Sequence, residues 1–250
     1  MLNHPTYTQL IGLRLHGMAD AFAEQQRLDL SHLGFEERLG LLVDREQTER
    51  DNQSLARRLK QAKLRQQAAP EDVDYQHARG LDHALFQRLL SGQWIRQHQN
   101  VLLTGPTGVG KSWLGSALAV QACRQGFSAY YVRVSRLLED LAISHSDGRF
   151  SKLLAQLAKV DVLVWDDWGL AVLNHAQRRD LLEVLDDRHG QRSTIVTSQL
   201  PVAHWHDAIG DATMADAILD RLVHNAHLLE LKGESLRKRR PRLTAEGTPE

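Results

Sequence analysis

The sequence predicts an α/β fold in which a parallel sheet is flanked by helices and preceded by a smaller helical region. Three observations support this prediction. From about residue 100 onward, short apolar, β-prone runs alternate with segments of helical spacing, which is typical of parallel sheets. A glycine-rich run at 105–112 follows the first of those strands and precedes a helix. Before residue 70, apolar residues recur at helical spacing instead.

The composition is that of an ordinary globular chain. Its 250 residues, of which 42% are hydrophobic, suffice for one large domain or for a domain with an appendage. The 31 Lys and Arg residues balance the 31 Asp and Glu residues, so a nucleic-acid-binding surface has to be a local patch. A single cysteine excludes an internal disulfide. Neither a signal segment nor an apolar run of membrane-spanning length is present, and we expect a cytoplasmic protein without a membrane partner.

The N-terminal region is predicted to be helical. Short amphipathic helices fit residues 1–30, and helical spacing is again clear at 55–64. The intervening stretch 44–54 contains no apolar residue, so it is either an exposed helix or a solvated linker. A polar, proline-containing stretch then predicts the boundary between an N-terminal helical domain, 1–69, which contacts partners or DNA, and a second domain, 70–250.

A block of basic residues without any acid lies near the end of this N-terminal domain. Such a block either contacts the phosphates of a nucleic acid or forms the solvated face of a helix, and the sequence leaves both interpretations open. Its members are Arg57, Arg58, Lys60, Lys63 and Arg65. We take the first four as candidate DNA contacts.

The second domain is predicted to contain five strands. They are 101–104, 129–134, 162–165, 194–197 and 227–231. The continuous apolar run of the third strand suits a strand that is buried on both faces. Helices are predicted between successive strands, and the connection from the second to the third strand holds two of them.

The glycine-rich run matches the phosphate-loop pattern G-x-x-x-x-G-K-[ST] of nucleotide-binding proteins. Its glycines allow backbone N–H groups to wrap phosphate oxygens, and the following helix adds the positive end of its dipole. In this pattern the lysine reaches the β- and γ-phosphates and the final hydroxyl binds Mg²⁺. The predicted nucleotide-binding residues are Gly105, Pro106, Thr107, Gly108, Val109, Gly110, Lys111, Ser112 and Trp113.

Two adjacent acids follow the third predicted strand. This strand delivers Asp166 to the carboxyl edge of the sheet, where ligands of parallel sheets bind, so we expect Asp166 to hold Mg²⁺ together with Ser112. Asp167 is then directed at the attacking water as a general base or water-positioning residue. Alternatively, Asp166 is a strand-end turn residue and Asp167 begins the loop toward Gly169. A second acid here favours hydrolysis over phosphoryl transfer to a small molecule.

The fourth predicted strand ends in Thr197, Ser198 and Gln199. A polar side chain at this strand end is able to reach the γ-phosphate or the attacking water. Ser198 and Gln199 are the candidates for this role, and the alternative is that both are ordinary turn residues.

Five stretches carry information beyond these local patterns. They are LRLHGMADAF at 13–22, GPTGVGKSWL at 105–114, VLVWDDWG at 162–169, TIVTSQLP at 194–201 and DRLVHNAHLLELKGESLRK at 220–238. Together they resemble the AAA+ ATPases and, more narrowly, the IstB-type transposition helper ATPases of bacterial insertion sequences, which are relatives of the DnaC-type helicase loaders. The resemblance implies a P-loop NTPase fold with a five-stranded parallel sheet of order 5-1-4-3-2. It also implies that no full lid domain follows the fifth strand.

The resemblance assigns roles to the residues of the nucleotide site. Lys111 and Ser112 match the Walker A lysine and hydroxyl, and Asp166 matches the Walker B acid that holds the metal. Asp167 stands where most AAA+ proteins carry a catalytic glutamate, and an aspartate at this place resembles the narrower family.

Further catalytic roles are implied outside these two motifs. Gln199, with Ser198, aligns with the sensor-one position. Arg221 matches the arginine finger, which completes the site of a neighbouring subunit, although from the residues alone a surface salt bridge is the alternative. Arg237 matches the sensor-two arginine.

The helical insertion between the second and third strands resembles the one that lines the DNA path in initiators and loaders. On this analogy, the candidate phosphate contacts are Arg136, Arg149 and Lys152. Contacts of this kind are independent of the DNA sequence and sensitive to salt.

The function implied by the resemblance is ATP hydrolysis to ADP and phosphate, stimulated by DNA, with ATP and Mg²⁺ as cofactors. We expect the protein to oligomerise on duplex DNA in the presence of ATP and to assist the transposase encoded with it in insertion-sequence transposition. An alternative is a helicase loader that binds a replicative helicase through its N-terminal helices. A P-loop kinase acting on a small metabolite fits less well, because of the acid pair, the missing lid and the basic segments.

Overall fold

The computed structural model describes residues 4–30, 32–76 and 79–236. Contacts within the chain divide it into two compact units, residues 1–58 and 59–250. This boundary falls within a long helix, and the predicted domain division between residues 69 and 70 stays a prediction. Arg237, the predicted sensor-two residue, lies outside the described residues.

The first unit is helical. Helices α1 (Pro5–Gly12) and α2 (His16–Gln25) are the short helices predicted for residues 1–30. Helix α3 runs from Phe35 to Ala62 without interruption. The stretch 44–54 is therefore an exposed helix and not a solvated linker.

Helix α2 packs closely on α3 because Gly17 has no side chain. A Cβ atom at this position would lie 2.7 Å from the carbonyl oxygen of Arg45. Next to this contact, the backbone N–H of Met18 donates to the buried carboxylate of Glu46. Glu46 also accepts from Arg50 Nε at 2.7 Å, and this hydrogen bond, opposed by burial, holds the pKa of the Glu46 carboxyl below its usual value.

The second unit is built on one parallel sheet of five strands. The strands are β1 (Asn100–Thr104), β2 (Ala129–Arg133), β3 (Val162–Trp168), β4 (Ser193–Ser198) and β5 (Ala226–Glu230). Their order in the sheet is β2-β3-β4-β1-β5, which is the predicted order 5-1-4-3-2 seen from the opposite edge. All five residues of β1 and all six of β4 are buried, as expected for central strands of a sheet with helices on both faces.

Helices connect the strands as predicted. They are α4 (His83–Leu90), α5 (Gln93–Arg96), α6 (Lys111–Arg124), α7 (Val134–Ser146), α8 (Phe150–Lys159), α9 (His175–Asp186), α10 (Trp205–Ile209) and α11 (Ala212–Val223). Side-chain caps fix three of their starts: Asp82 for α4, Asn174 for α9 and Asp211 for α11. Between β5 and residue 236, where the description ends, no further α-helix occurs. None of the described helices has both the length and the apolar character needed to cross a membrane.

Strand β3 is longer than predicted and contains a β-bulge. It pairs with β4 through Trp165 opposite Val196 and then through Trp168 opposite Ser198, so β3 uses one more residue than β4. The extra residue is Asp167, whose φ of 63° lies in the left-handed region. Because of this insertion, Trp165 and Trp168 lie on the same face, with their rings stacked at 5.9 Å.

The core on this face is centred on tryptophan. Trp168 also contacts Trp205, with ring centroids 5.7 Å apart, and Trp165, Trp168 and Trp205 are almost completely buried. Helices α7, α9 and α11 cover the cluster with fully buried aliphatic side chains, among them Leu141, Leu181 and Ile218. The bulge that carries the two acids thus lies between this buried core and the carboxyl edge of the sheet.

Candidate active site

The phosphate loop connects the end of β1 to the start of α6, as predicted. Gly108 and Gly110 have φ values of 88° and 99°, which side-chain-bearing residues rarely adopt. A Cβ atom at Gly108 would lie 2.0 Å from Ser235 Oγ, because the segment after β5 packs against the loop and the Leu236 N–H donates to the Gly108 carbonyl at 2.9 Å. The loop conformation therefore requires glycine both for its backbone angles and for this close packing.

Lys111 begins α6 and is only 8% exposed. Its Nζ donates to the carbonyl oxygens of Gly105 at 2.6 Å and of Pro106 at 2.7 Å. Burial lowers the pKa of the Lys111 ammonium, and the nearby carboxylates of Asp167 and Asp166 oppose this shift. The positive charge is thus kept inside the loop by polar partners that a phosphate group is able to replace.

An open cavity of about 700 Å³ lies over the loop. Its lining consists of Gln66, Gln67, Thr107, Gly108, Gly110, Lys111, Ser112, Trp113, Asp167, Gln199 and Leu236. Most predicted nucleotide-binding residues therefore border one space. The other predicted loop residues, Gly105, Pro106 and Val109, do not line it; Gly105 and Pro106 hold Lys111, and the Val109 side chain is fully buried.

The carboxylate of Asp166 is buried and accepts three side-chain hydrogen bonds. Ser112 Oγ donates to Oδ1 at 2.6 Å and Thr197 Oγ1 donates to the same oxygen at 2.5 Å. Tyr131 OH donates to Oδ2 at 2.5 Å. The predicted pairing of Ser112 with Asp166 is therefore present, whereas Thr197 and Tyr131 are neighbours that the sequence analysis did not identify.

Asp167 borders the cavity from the bulge in β3. Its backbone N–H donates to Thr197 Oγ1 at 3.2 Å, and its carboxylate, one-third exposed, lies 3.7 Å from Arg133 Nε. Burial, and after it the negative charge of Asp166, raises the pKa of the Asp167 carboxyl, while Arg133 and Lys111 oppose this shift. A carboxylate in this setting has a higher proton affinity than an ordinary aspartate, which suits a general base.

The end of β4 differs from the prediction in one residue. Gln199 borders the cavity, where its Oε1 accepts from Thr107 Oγ1 at 2.7 Å. Ser198 is completely buried and does not line the cavity; its Oγ donates to the Trp168 carbonyl and accepts from the Leu200 N–H. The structure therefore does not place Ser198 at the cavity, because the alternation of the strand directs Thr197, and not Ser198, toward the acid pair; the role of Ser198 at the reacting phosphate stays a prediction.

Arg221 lies on α11 at the opposite edge of the sheet. Asn100, the first residue of β1, donates through Nδ2 to the Arg221 carbonyl at 2.9 Å, whereas the phosphate loop follows the last residue of β1. The Arg221 guanidinium pairs with Asp186 at 2.7 Å and donates to the Ala217 carbonyl at 3.2 Å. Arg221 is thus outside its own cavity and forms the surface salt bridge that was the alternative from sequence.

The candidate DNA contacts lie in two places. On α3 and directly after it, Arg57, Lys60 and Lys63 are exposed and Arg58 is half-buried. In the insertion, Arg136 pairs with Glu139 and Asp140, each at 3.1 Å, and Arg149 pairs with Asp147. Lys152 and Arg149 line the same groove between α7 and α8. The positive charge of the insertion is therefore largely balanced by neighbouring acids.

The residues at the cavity fit a nucleoside triphosphate with Mg²⁺. The left-handed glycines and the start of a 14-residue helix form an anion site. The hydroxyl of Ser112 and the carboxylate of Asp166 are hard oxygen ligands of the kind that Mg²⁺ prefers, and they already lie within 2.6 Å of each other.

Comparison with known proteins agrees with this description. The family model described as IstB-like ATP binding protein matches residues 8–244. The chain is 54% identical over 243 residues to y4pL of Sinorhizobium fredii, named as an insertion sequence ATP-binding protein, over 97% of this chain and 99% of the relative. It is 59% identical over 203 residues to a protein of Pseudomonas fluorescens named as the ATP-binding protein of insertion sequence IS1162, over 80% of this chain and 88% of the relative.

Two solved structures have a similar fold. The crystal structure of DnaI has a TM-score of 0.58 at 23% identity, over 66% of this chain and 91% of that one. The DnaC helicase loader has a TM-score of 0.52 at 21% identity, over 60% of this chain and 87% of that one. At such identities the similarity shows the fold alone, and it confirms the predicted P-loop fold with a five-stranded parallel sheet. Because the family model spans nearly the whole chain, from residue 8 to residue 244, the protein belongs to the IstB-like ATP-binding proteins, as its sequence motifs predicted.

Proposed function

We propose that this protein is an ATPase that assembles on duplex DNA in its ATP-bound state and assists a transposase in insertion-sequence transposition. The observation that carries the ATPase assignment is the acid pair in β3: Asp167 lines the same cavity as Lys111 and Ser112, and Asp166 accepts a hydrogen bond from Ser112 Oγ. The transposition role is supported by the relatives that are named as insertion sequence ATP-binding proteins. In this proposal residues 1–69 contact partners or DNA, and residues 70–250 form the ATPase domain.

Phosphate binding follows from the loop and the helix behind it. Backbone N–H groups of the loop and of the first turn of α6 bind phosphate oxygens at the positive end of the helix dipole. The Lys111 ammonium exchanges its contacts with the Gly105 and Pro106 carbonyls for phosphate oxygens. Ser112 and Asp166 are the residues that hold Mg²⁺, which supplies charge neutralisation at the phosphates when it is bound.

Hydrolysis requires a water that is activated at the γ-phosphate. The Asp167 carboxylate borders the cavity and accepts the proton of this water as the water oxygen bonds to phosphorus and ADP leaves. The pKa of Asp167 is raised by burial and by Asp166, which strengthens it as a base. Gln199 accepts a hydrogen bond from Thr107 of the phosphate loop, and it orients the water or the γ-phosphate.

We assign the stabilisation of the remaining negative charge at the transition state to Arg221 of a neighbouring subunit. Within one chain, Arg221 and the phosphate loop lie at opposite edges of the sheet, so a head-to-tail contact between copies is needed to bring them together. The ion pair of Arg221 with Asp186 is half-exposed, and exposed pairs contribute only about 0–1 kcal/mol. The free-energy cost of releasing Arg221 from Asp186 toward a neighbouring γ-phosphate is therefore small.

Assembly and DNA dependence are tested together by measuring ATP hydrolysis and molecular size. We expect two duplexes of unrelated sequence to stimulate hydrolysis equally, and the stimulation to fall as salt is raised, because backbone contacts release counterions. Sizing with ATP and duplex DNA is expected to show a higher oligomer that ADP does not support. The proposal fails if the protein stays monomeric with both ligands present. Capture of a replicative helicase without the transposase would favour a helicase loader instead.

Arg133→Met is expected to shift the acid limb of the ATPase pH profile to higher pH. Removal of the guanidinium takes away a positive charge that lowers the pKa of Asp167, and the base has to be deprotonated to act. Activity is therefore lost at a higher pH than in the wild-type protein. The matched control is Arg133→Lys, which keeps the charge and should keep the profile. An unchanged acid limb in Arg133→Met would show that Asp167 is not the titrating base.

A further inference from the structure

We infer that Tyr131 and Thr197 are positioning residues that hold the Asp166 carboxylate in its metal-binding orientation, and that Thr197 also ties Asp166 to Asp167. This inference rests on the proposed nucleotide site and assigns to it two residues that lie outside the phosphate-loop and acid-pair motifs.

Each carboxylate oxygen of Asp166 has its own donor. Oδ1 accepts from Thr197 Oγ1 and Oδ2 accepts from Tyr131 OH, both at 2.5 Å. Ser112 is the third donor, but it belongs to the proposed metal ligands. Once Ser112 is engaged by the cation, Tyr131 and Thr197 are the two described side chains left to fix the plane of the carboxylate. Such partners of metal ligands commonly set the affinity for the metal.

Tyr131 reaches Asp166 along the face of the sheet. It lies on β2 opposite Val164, two residues before Asp166 on β3, and a spacing of two keeps side chains on one face. The ring is buried. The phenol OH donates to Asp166 Oδ2, because an ionised carboxylate is able only to accept.

Thr197 connects the two acids. Its hydroxyl donates to Asp166 Oδ1 and accepts from the backbone N–H of Asp167. A hydroxyl has one donor and two acceptor sites, so both bonds form at the same time. The N–H that Thr197 holds belongs to the left-handed residue of the bulge. One side chain therefore fixes both the metal-binding carboxylate and the backbone turn that directs Asp167 into the cavity.

The test measures how nucleotide affinity depends on Mg²⁺ in the full-length protein. A fluorescent ATP analogue is titrated in EDTA and at a series of Mg²⁺ concentrations, with Tyr131→Phe and Thr197→Val as variants. The matched controls are Tyr130→Phe, which alters the neighbouring tyrosine of β2, and Thr197→Ser, which keeps the hydroxyl. We expect the two variants to need about 10–100-fold more Mg²⁺ for half-maximal enhancement of binding, while both controls stay close to the wild type.

The titration in EDTA distinguishes a weakened response to Mg²⁺ from a general loss of nucleotide binding. We expect the variants to bind the analogue in EDTA as the wild type does, which also shows that they are folded. A Mg²⁺ requirement that is unchanged in Tyr131→Phe and Thr197→Val overturns the inference. An equal loss of affinity with and without Mg²⁺ also overturns it, since that result indicates a general structural role. If the wild-type protein itself fails to bind the analogue, the proposed function fails and not only this inference.

Discussion

Asp167→Asn is expected to bind ATP with nearly wild-type affinity and to hydrolyse it about 10²–10⁴-fold more slowly, a loss of about 3–5 kcal/mol of transition-state stabilisation. The amide cannot accept the proton of the attacking water, whereas the phosphate loop, Lys111 and the Ser112–Asp166 pair are unchanged. Asparagine also tolerates the left-handed backbone at this position. For this reason Asn is a better test than Ala, which would strain the bulge as well as remove the base.

Single-turnover hydrolysis and equilibrium binding of ATP measure the two effects separately. Asp207→Asn, an exposed aspartate on α10, is the matched control and should hydrolyse ATP normally. Assemblies of Asp167→Asn on DNA should persist, because ATP is bound but not consumed. Wild-type hydrolysis by Asp167→Asn would assign the base to another group, and a matching loss of ATP affinity would show that the residue acts in binding.

Arg221→Ala is expected to reduce hydrolysis about 10³–10⁵-fold, equivalent to about 4–7 kcal/mol. In the proposed assembly, the guanidinium of a neighbouring subunit stabilises charge that develops on the transferred phosphoryl group, and no side chain in the described lining of the cavity duplicates its fork of donors. The affinity of a single subunit for ATP should hardly change, since Arg221 is not part of that subunit's own cavity. The exposed Arg179 of α9 offers a control, Arg179→Ala, that should leave hydrolysis intact.

Mixing two inactive variants decides whether Arg221 acts between subunits. Asp167→Asn subunits keep Arg221 but lack the base, and Arg221→Ala subunits keep the base but lack the arginine. A mixed assembly therefore contains contacts at which an intact cavity meets an intact Arg221, and we expect activity to reappear on mixing. If the mixture stays inactive while both variants still assemble on DNA, the assignment of Arg221 to the neighbouring site is wrong.

The nucleotide-binding half of the site could be predicted because the residues that bind phosphate and metal belong to short contiguous motifs. A phosphate loop needs glycines, a lysine and a hydroxyl at fixed spacing, and a buried strand that ends in an acid needs only a local apolar run. In the structure Lys111 and Ser112 line one cavity and Asp166 accepts a hydrogen bond from Ser112 Oγ, while the roles of all three at a bound nucleotide stay predictions. The order of the strands was implied by the family resemblance and not by the strands themselves, because side-by-side pairing of parallel strands leaves no local trace in sequence.

The parts that could not be predicted depend on long-range register. The apolar pattern of β3 stops at Trp165, but pairing with β4 continues the strand past a bulge to Trp168. Whether Thr197 or Ser198 faces the acids follows from that same pairing. Tyr131 meets Asp166 only because β2 lies beside β3, and the continuity of α3 through its polar stretch arises although no apolar residue there indicates a core. Alternation would have identified Thr197: it lies two residues before Gln199, and side chains two residues apart along a strand lie on the same face.

In the proposed assembly, the placement of the phosphate loop and Arg221 at opposite edges of the sheet would also make the two ends of a row of subunits different. Head-to-tail contacts join two different surfaces, so a row that does not close has one complete site fewer than it has subunits. At one end of the row the terminal cavity has no Arg221 from a neighbour. At the other end the Arg221 of the terminal subunit has no neighbouring cavity to contact. Under the proposed function, turnover per subunit would then rise with the length of the row on DNA, whereas a closed ring would work at full rate as soon as it forms. Terminal subunits that cannot hydrolyse ATP would keep it bound, and an open row would lose its subunits from within or from the completed end.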